Sequence, residues 1–184
     1  MHVFANADWA GDVLTKRSTT GYVVFAAGGP LAWQSKLQIT VATSSTQSEY
    51  QAMYADMQEI VWLWGVLAEL DLWLSKPTPF ILDSQSAEDL ALNTVYHKRS
   101  KHIEIKYHWV LEYAELDGEF RTATLIHVRT GEQTADIFTK ALTGTAFDTH
   151  RRRMFGTERK SSAEVAQELE RKRRRAKLIS GSFF

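Results

Sequence analysis

Cysteine is absent from this 184-residue chain, and proline occurs only three times. Without cysteine there is no disulfide framework, no thiolate zinc site and no cysteine nucleophile. The absence is compatible with an intracellular setting, cytoplasmic or nuclear, without fixing which. Every apolar run falls far short of the roughly 18 residues a membrane span requires. The N-terminal stretch MHVFANADWAG also lacks the charged-then-apolar form of a secretory signal, so no membrane partner is expected.

A net charge of zero conceals a division. Residues 1–150 hold 11 Lys and Arg against 18 Asp and Glu, whereas residues 151–184 hold 11 against 4. An acidic body thus carries a basic tail, as when two segments of different character are joined. The body has the apolar content for a real core, with 44% hydrophobic and 11% aromatic residues overall.

Along the body, residues 3–8 read as a strand. Residues 20–27 are β-branched and aromatic and lead through Gly28-Gly29-Pro30 into LAWQS, the pattern of a hairpin. The period then changes to that of a helix. Tyr50, Met53, Tyr54, Met57, Ile60, Val61, Trp64, Leu67 and Ala68 share one face. Thr46 and Glu49 have capping-box spacing at its start. After Pro77 and Pro79, residues 80–83 read as a short buried strand, and Ser84 opens a further helix to about Leu92. Ile103, Tyr107, Val110, Leu111 and Ala114 share the face of another helix, stopped at Gly118. Residues 122–128 form a strand, and Thr130 with Gln133 has the spacing to cap a last helix. The order β-β-β-α-β-α-α-β-α predicts a mixed sheet with helices on its faces. From about residue 144 the apolar pattern fades, which divides the chain into a domain over 1–145 and a basic extension over 146–184, partly helical or disordered.

Four acids fall where strands end or helices begin: Asp8, Glu49, Asp83 and Asp136. Singly, each has an ordinary role. Asp8 suits a turn, Glu49 a capping box, Asp83 a helix cap, and Asp136 a first helical turn. Jointly they suit a site at one sheet edge, where ligands of α/β folds gather. Clustered carboxylates repel one another unless a dication lies among them. An all-oxygen donor set selects Mg²⁺ or Mn²⁺ over zinc, and two such ions can clamp the attacking and leaving oxygens of a phosphodiester.

The stretches ADWAGD (7–12), RSTTGYVVF (17–25), WQSKLQITVATSSTQSEY (33–50), LDSQSA (82–87), RSKHIEIKYHWV (99–110) and QTADIFTKAL (133–142) resemble the ribonuclease H domain of copia-type retrotransposon polyproteins. The resemblance covers about residues 3–142. It implies an α/β, ribonuclease H-like fold: a five-stranded mixed sheet, three antiparallel strands first, flanked by helices. It implies that Asp8, Glu49, Asp83 and Asp136 are catalytic acids holding two Mg²⁺ or Mn²⁺ ions. It also implies hydrolysis of the RNA strand of an RNA–DNA hybrid, leaving a 3′ hydroxyl and a 5′ phosphate. The hybrid would be recognised by its 2′-hydroxyls and groove shape. Relatives often read Asp-Asn-Gln-Ser where this chain has Asp83-Ser84-Gln85-Ser86, a difference that bears on substrate contact rather than on metal binding. A reverse transcriptase polymerase domain, missing from this chain, is the implied protein partner. The alternative is an inactive remnant of the same fold that binds nucleic acid. A transposase or integrase core of the same superfamily would carry three acids in a different setting.

Other residues divide between ordinary and functional roles. His102 is a surface histidine or an accessory group near the metal site. Lys98, Arg99 and Lys101 form a solvated loop or a phosphate-binding patch that seats the hybrid. Gln85 is a candidate contact to a base edge or 2′-hydroxyl. The six tryptophans are expected mostly in packing rather than in base stacking. The basic tail suits nucleic-acid binding or nuclear targeting, or is a disordered extension.

Overall fold

The computed structural model describes residues 1–84, 106, 109–110, 112–114, 122–155 and 167. Strands β1 (His2–Asp8), β2 (Thr19–Ala26) and β3 (Gly29–Leu37) form an antiparallel meander. Helix α1 (Ser45–Glu69) follows, then β4 (Thr78–Leu82) and β5 (Ala123–His127). A 3₁₀ turn over Thr130–Glu132 leads to a short helix α2 (Asp136–Thr139) and to α3 (Gly144–Phe155). The five strands lie in the order β3-β2-β1-β4-β5, with β4 parallel to both β1 and β5. The fold read from the sequence is the fold observed: a five-stranded mixed sheet, three antiparallel strands first, with helices against it.

Alternation along β1 divides its side chains between two faces. Val3 and Ala5 join Tyr50, Met53, Met57 and Ile60 of α1 in the main core. Phe4, on the other face, packs in a second cluster with Val23, Phe25, Ile137, Phe138 and Met154. Helices therefore cover both faces near the C-terminal end of β1. Gly21 permits the close seat of α2, because a Cβ there would lie 2.7 Å from both Phe138 Cβ and Thr139 Cγ2.

Both capping boxes read from the sequence differ from those formed. Ser44, not Thr46, is the N-cap of α1, and its hydroxyl accepts from the Gln47 amide at 3.1 Å. Gln47 returns the interaction by accepting from the Thr43 amide at 2.7 Å. Four successive Thr and Ser residues offer equivalent caps, so local pattern does not choose among them. At the other site the 3₁₀ turn has no side-chain cap, and Gln133 turns inward instead. The final helix is consequently shorter than its periodicity suggested.

Helix α3 crosses residue 145, where the sequence reading ends the domain. Its His150 and Met154 are buried, and Arg153 donates to the Gly131 carbonyl at 2.9 Å. The helix expected from Ser84 and most of the helix around residues 103–114 lie outside the described residues. Among tryptophans, packing holds for Trp64, which donates to Thr78 Oγ1 at 2.9 Å, and for Trp109, whose ring meets Tyr54 at 5.3 Å. Trp9, Trp33, Trp62 and Trp73 are exposed, so the general expectation of packed tryptophans is corrected: Trp33 on β3 and Trp62 on α1 face away from the core, and Trp9 and Trp73 lie in the loops after β1 and α1. No helix among the described residues is long and apolar enough to cross a membrane.

Candidate carboxylate site

Asp8 ends β1, and Asp83 follows the last residue of β4. These strands are parallel neighbours, paired through Val3–Phe80 and Phe4–Ile81. In the sheet β2 lies beyond β1 and β5 beyond β4, so the next strand in sequence falls on opposite sides of the two strand ends. That is the geometry in which an α/β sheet opens a crevice at its carboxyl edge.

Glu49 reaches this edge from α1. It does not cap the helix: its Oε2 accepts from the Ala7 amide at 3.0 Å, one residue before Asp8. Asp136 arrives from the opposite face on α2. It accepts from the Asn6 side-chain amide and forms a 3.0 Å ion pair with Lys140. Asn6 is two residues before Asp8 and so shares its face of the strand. Asp8 has room because residue 11 is glycine, where a Cβ would stand 1.9 Å from Asp8 Oδ2.

The charges of the four acids reach one another. Burial, and then the negative charge of Asp83, push the Glu49 carboxyl up to about 8, against the opposing hydrogen bond from Ala7. Burial also raises Asp136. Lys140 opposes that rise, while Asp83 and Asp8 add to it. The site is therefore short of positive charge, and the donor set is carboxylate oxygen throughout. That chemistry fits a hard dication. As the side chains stand, no three such donors among the described residues are close enough to hold a metal together. The Lys140 ammonium and the Asn6 amide instead occupy oxygens of Asp136.

Several residues of the site were not legible as such. Asn6 lies outside the stretches that carry the resemblance, and Lys140 lies within one of them without having been singled out. Asp56 lies seven residues beyond Glu49 on α1, hence on the same helical face. It is 1% exposed, with neither carboxylate oxygen hydrogen-bonded among the described residues. Burial and then repulsion from Glu49 and Glu59 raise it well above the ordinary carboxyl range, which disfavours its charged form. Gln133, wholly buried, donates from Nε2 to the carbonyls of Ala5 at 2.9 Å and Ile81 at 3.3 Å. The remaining sequence candidates, His102, Gln85, Lys98, Arg99 and Lys101, lie outside the described residues.

Comparison with known proteins bears on the family and the fold. No protein-family model matches the chain. The retrovirus-related Pol polyprotein of transposon TNT 1-94 from Nicotiana tabacum is 41% identical over 145 residues, which are 79% of this chain and 10% of the polyprotein. The chain belongs to the copia-type transposon Pol family. It thus spans about a tenth of that relative's length. The fold of this chain is ribonuclease H-like. An N-terminal RNase H domain from Mycobacterium tuberculosis, solved as a fusion with maltose-binding protein, superposes with a TM-score of 0.52 at 16% identity, covering 82% of this chain and 94% of that one. An RNase H1, named LC11 and solved in complex with an RNA/DNA hybrid, gives 0.50 at 13% identity, covering 74% and 91%. At such identities the likeness to solved structures concerns the fold.

Proposed function

We propose that this transposon Pol segment is a metal-dependent endoribonuclease that cleaves the RNA strand of RNA–DNA hybrids. The observation that carries the proposal is the placement of the four acids at one sheet edge: Asp8 and Asp83 end neighbouring parallel strands, and Glu49 and Asp136 accept from Ala7 and Asn6, one and two residues before Asp8. The hybrid in the LC11 RNase H1 complex supports the choice of substrate.

Asp8, Glu49, Asp83 and Asp136 would hold two Mg²⁺ or Mn²⁺ ions. When bound, the ions supply a hydroxide at neutral pH and neutralise charge on the phosphate and the leaving 3′ oxygen. The chain's own residues orient these acids. The Ala7 amide fixes one oxygen of Glu49, Asn6 fixes one of Asp136, and the Gly11 backbone leaves Asp8 free to face the crevice. Lys140 holds the second oxygen of Asp136 and must yield it for that oxygen to become a ligand. In a longer Pol chain, a polymerase domain would bring the hybrid to this edge. Gln85, Lys98, Arg99 and Lys101 remain the proposed hybrid contacts, with His102 accessory.

Asp8→Asn or Asp83→Asn should abolish Mg²⁺-dependent cleavage of a labelled hybrid while circular dichroism stays native. Undiminished cleavage by both variants would overturn the site. Lys140 favours a second reading, a hybrid-binding domain that does not cut, because its ammonium already pairs with Asp136 where a metal would sit. Hybrid binding by the wild type, with no cleavage in either Mg²⁺ or Mn²⁺, would decide for that reading.

A further inference from the structure

Strands β1 and β4 are paired at only two positions, Val3–Phe80 and Phe4–Ile81, before they part toward the carboxylate edge. A polar gap between two buried strands leaves backbone groups to be satisfied. One side chain meets that need. Gln133 is 0% exposed, and its Nε2 donates both to Ala5 on β1 and to Ile81 on β4. Its Oε1 accepts from the Ala135 amide at 3.3 Å, and its own backbone carbonyl accepts from the Asp136 amide at 3.2 Å.

These bonds terminate close to three of the four acids. Ala5 precedes Asp8 by three residues, Ile81 precedes Asp83 by two, and Ala135 adjoins Asp136. Through Ala7, β1 also anchors Glu49. We infer that Gln133 is a positioning residue, a clamp that sets the width of the crevice between β1 and β4 and the seat of Asp136 against both. The inference rests on the metal-dependent reading only for its effect on ion binding. The clamp itself is a property of the metal-free fold.

The amide is suited to the task in a way that neighbouring chemistries are not. Its two N–H groups serve two carbonyls while its oxygen serves the helix start. Methionine of similar length fills the space but donates nothing. Glutamate would set acceptor against acceptor. The spacing of Thr130 and Gln133 mimics a capping box, which is why the residue's long-range role is invisible in sequence.

The test compares wild type with Gln133→Met, with Gln133→Asn, which retains the amide but withdraws it by one methylene, and with Ile60→Ala. Ile60 lies in the main core and makes none of these bonds, so its variant reports a loss of core packing alone. Hydrogen exchange of the metal-free proteins should show the Ala7 and Asp136 amides exchanging at least tenfold faster in the Gln133 variants than in Ile60→Ala. Mn²⁺ titrated by electron paramagnetic resonance should show half-saturation about tenfold higher or more in those variants, the scale of loss when groups orienting metal ligands are removed. Ile60→Ala should stay within about twofold of wild type. Gln133→Asn supplies the answer if Gln133→Met does not fold. Exchange at Ala7 and Asp136 equal to that of Ile60→Ala would overturn the clamp. If the wild type binds no Mn²⁺ while the exchange difference persists, the clamp stands and the ribonuclease reading fails.

Discussion

Asp8 illustrates how a glycine can serve a carboxylate three residues away. The Gly11 Cα is so near Asp8 Oδ2 that a methyl group there would stand 1.9 Å from it. The clash is with the free end of a rotatable side chain, so Gly11→Ala should turn Asp8 aside rather than unfold the chain. The expected result is a fall in hybrid cleavage on the order of a hundredfold, the usual scale for an ångström of misplacement. Stability should stay within roughly 0.5 kcal/mol. Paired turnover and denaturation measurements check this, and equal losses in both would show that the glycine serves folding instead. Residue-scale reading of the sequence singled out the four acids and also offered Glu49 a place in a capping box with Thr46. The cap lies two residues before Thr46, at Ser44. The carboxylate is thereby left for Ala7, a partner 42 residues distant in sequence.

At the scale of elements, α1 was the most legible, because nine positions repeat at helical spacing on one face. Its end was not, since no glycine marks it. The helix closes in a Schellman arrangement, with Leu72 donating to the Leu67 carbonyl at 2.8 Å and Asp71 to Ala68 at 3.1 Å. This places Asp71 at a φ of 57°, a left-handed conformation that glycine adopts without a steric cost. Asp71→Gly should therefore stabilise the protein by about 1 kcal/mol, measurable as a higher midpoint in urea. An unchanged or lower midpoint would mean that the aspartate makes a compensating contact. The helix after β5 misled in the other direction. Thr130 and Gln133 carried the spacing of a cap, yet burial between two strands stabilised Gln133 elsewhere.

For the whole molecule, the acid cluster couples folding to pH. Glu49 titrates near 8 when folded against an ordinary value of 4.5, so the unfolded chain releases this proton first. Stability associated with Glu49 is thus fully present below about 4.5 and is lost as pH rises toward 8. Asp56 and Asp136 are raised as well and act with the same sign. In chelator, thermal stability should decline across this window, and Glu49→Gln should lessen the decline. Saturating Mg²⁺ should do likewise, since a dication among the acids favours their ionised forms. Melting curves at several pH values decide the matter: a slope unchanged by Glu49→Gln would remove this residue as its source.

Sequence by itself determined the order of the strands and of α1, the sheet class and which acids to weigh as a site. These depend on alternation in strands, the helical repeat of α1 and runs of motif residues, all properties of short stretches. Tertiary structure decided most of the residues that serve those acids. Asn6 acquires its role from a neighbour brought near by the sheet, and Asp56 from burial that changes the energetics of charge, whereas Lys140 pairs with Asp136 four residues away. Gln133 becomes a clamp only because two parallel strands part beside it and leave carbonyls that an amide can satisfy. Such contacts join residues 52 and 128 positions apart, and no local pattern encodes a hydrogen bond across that span.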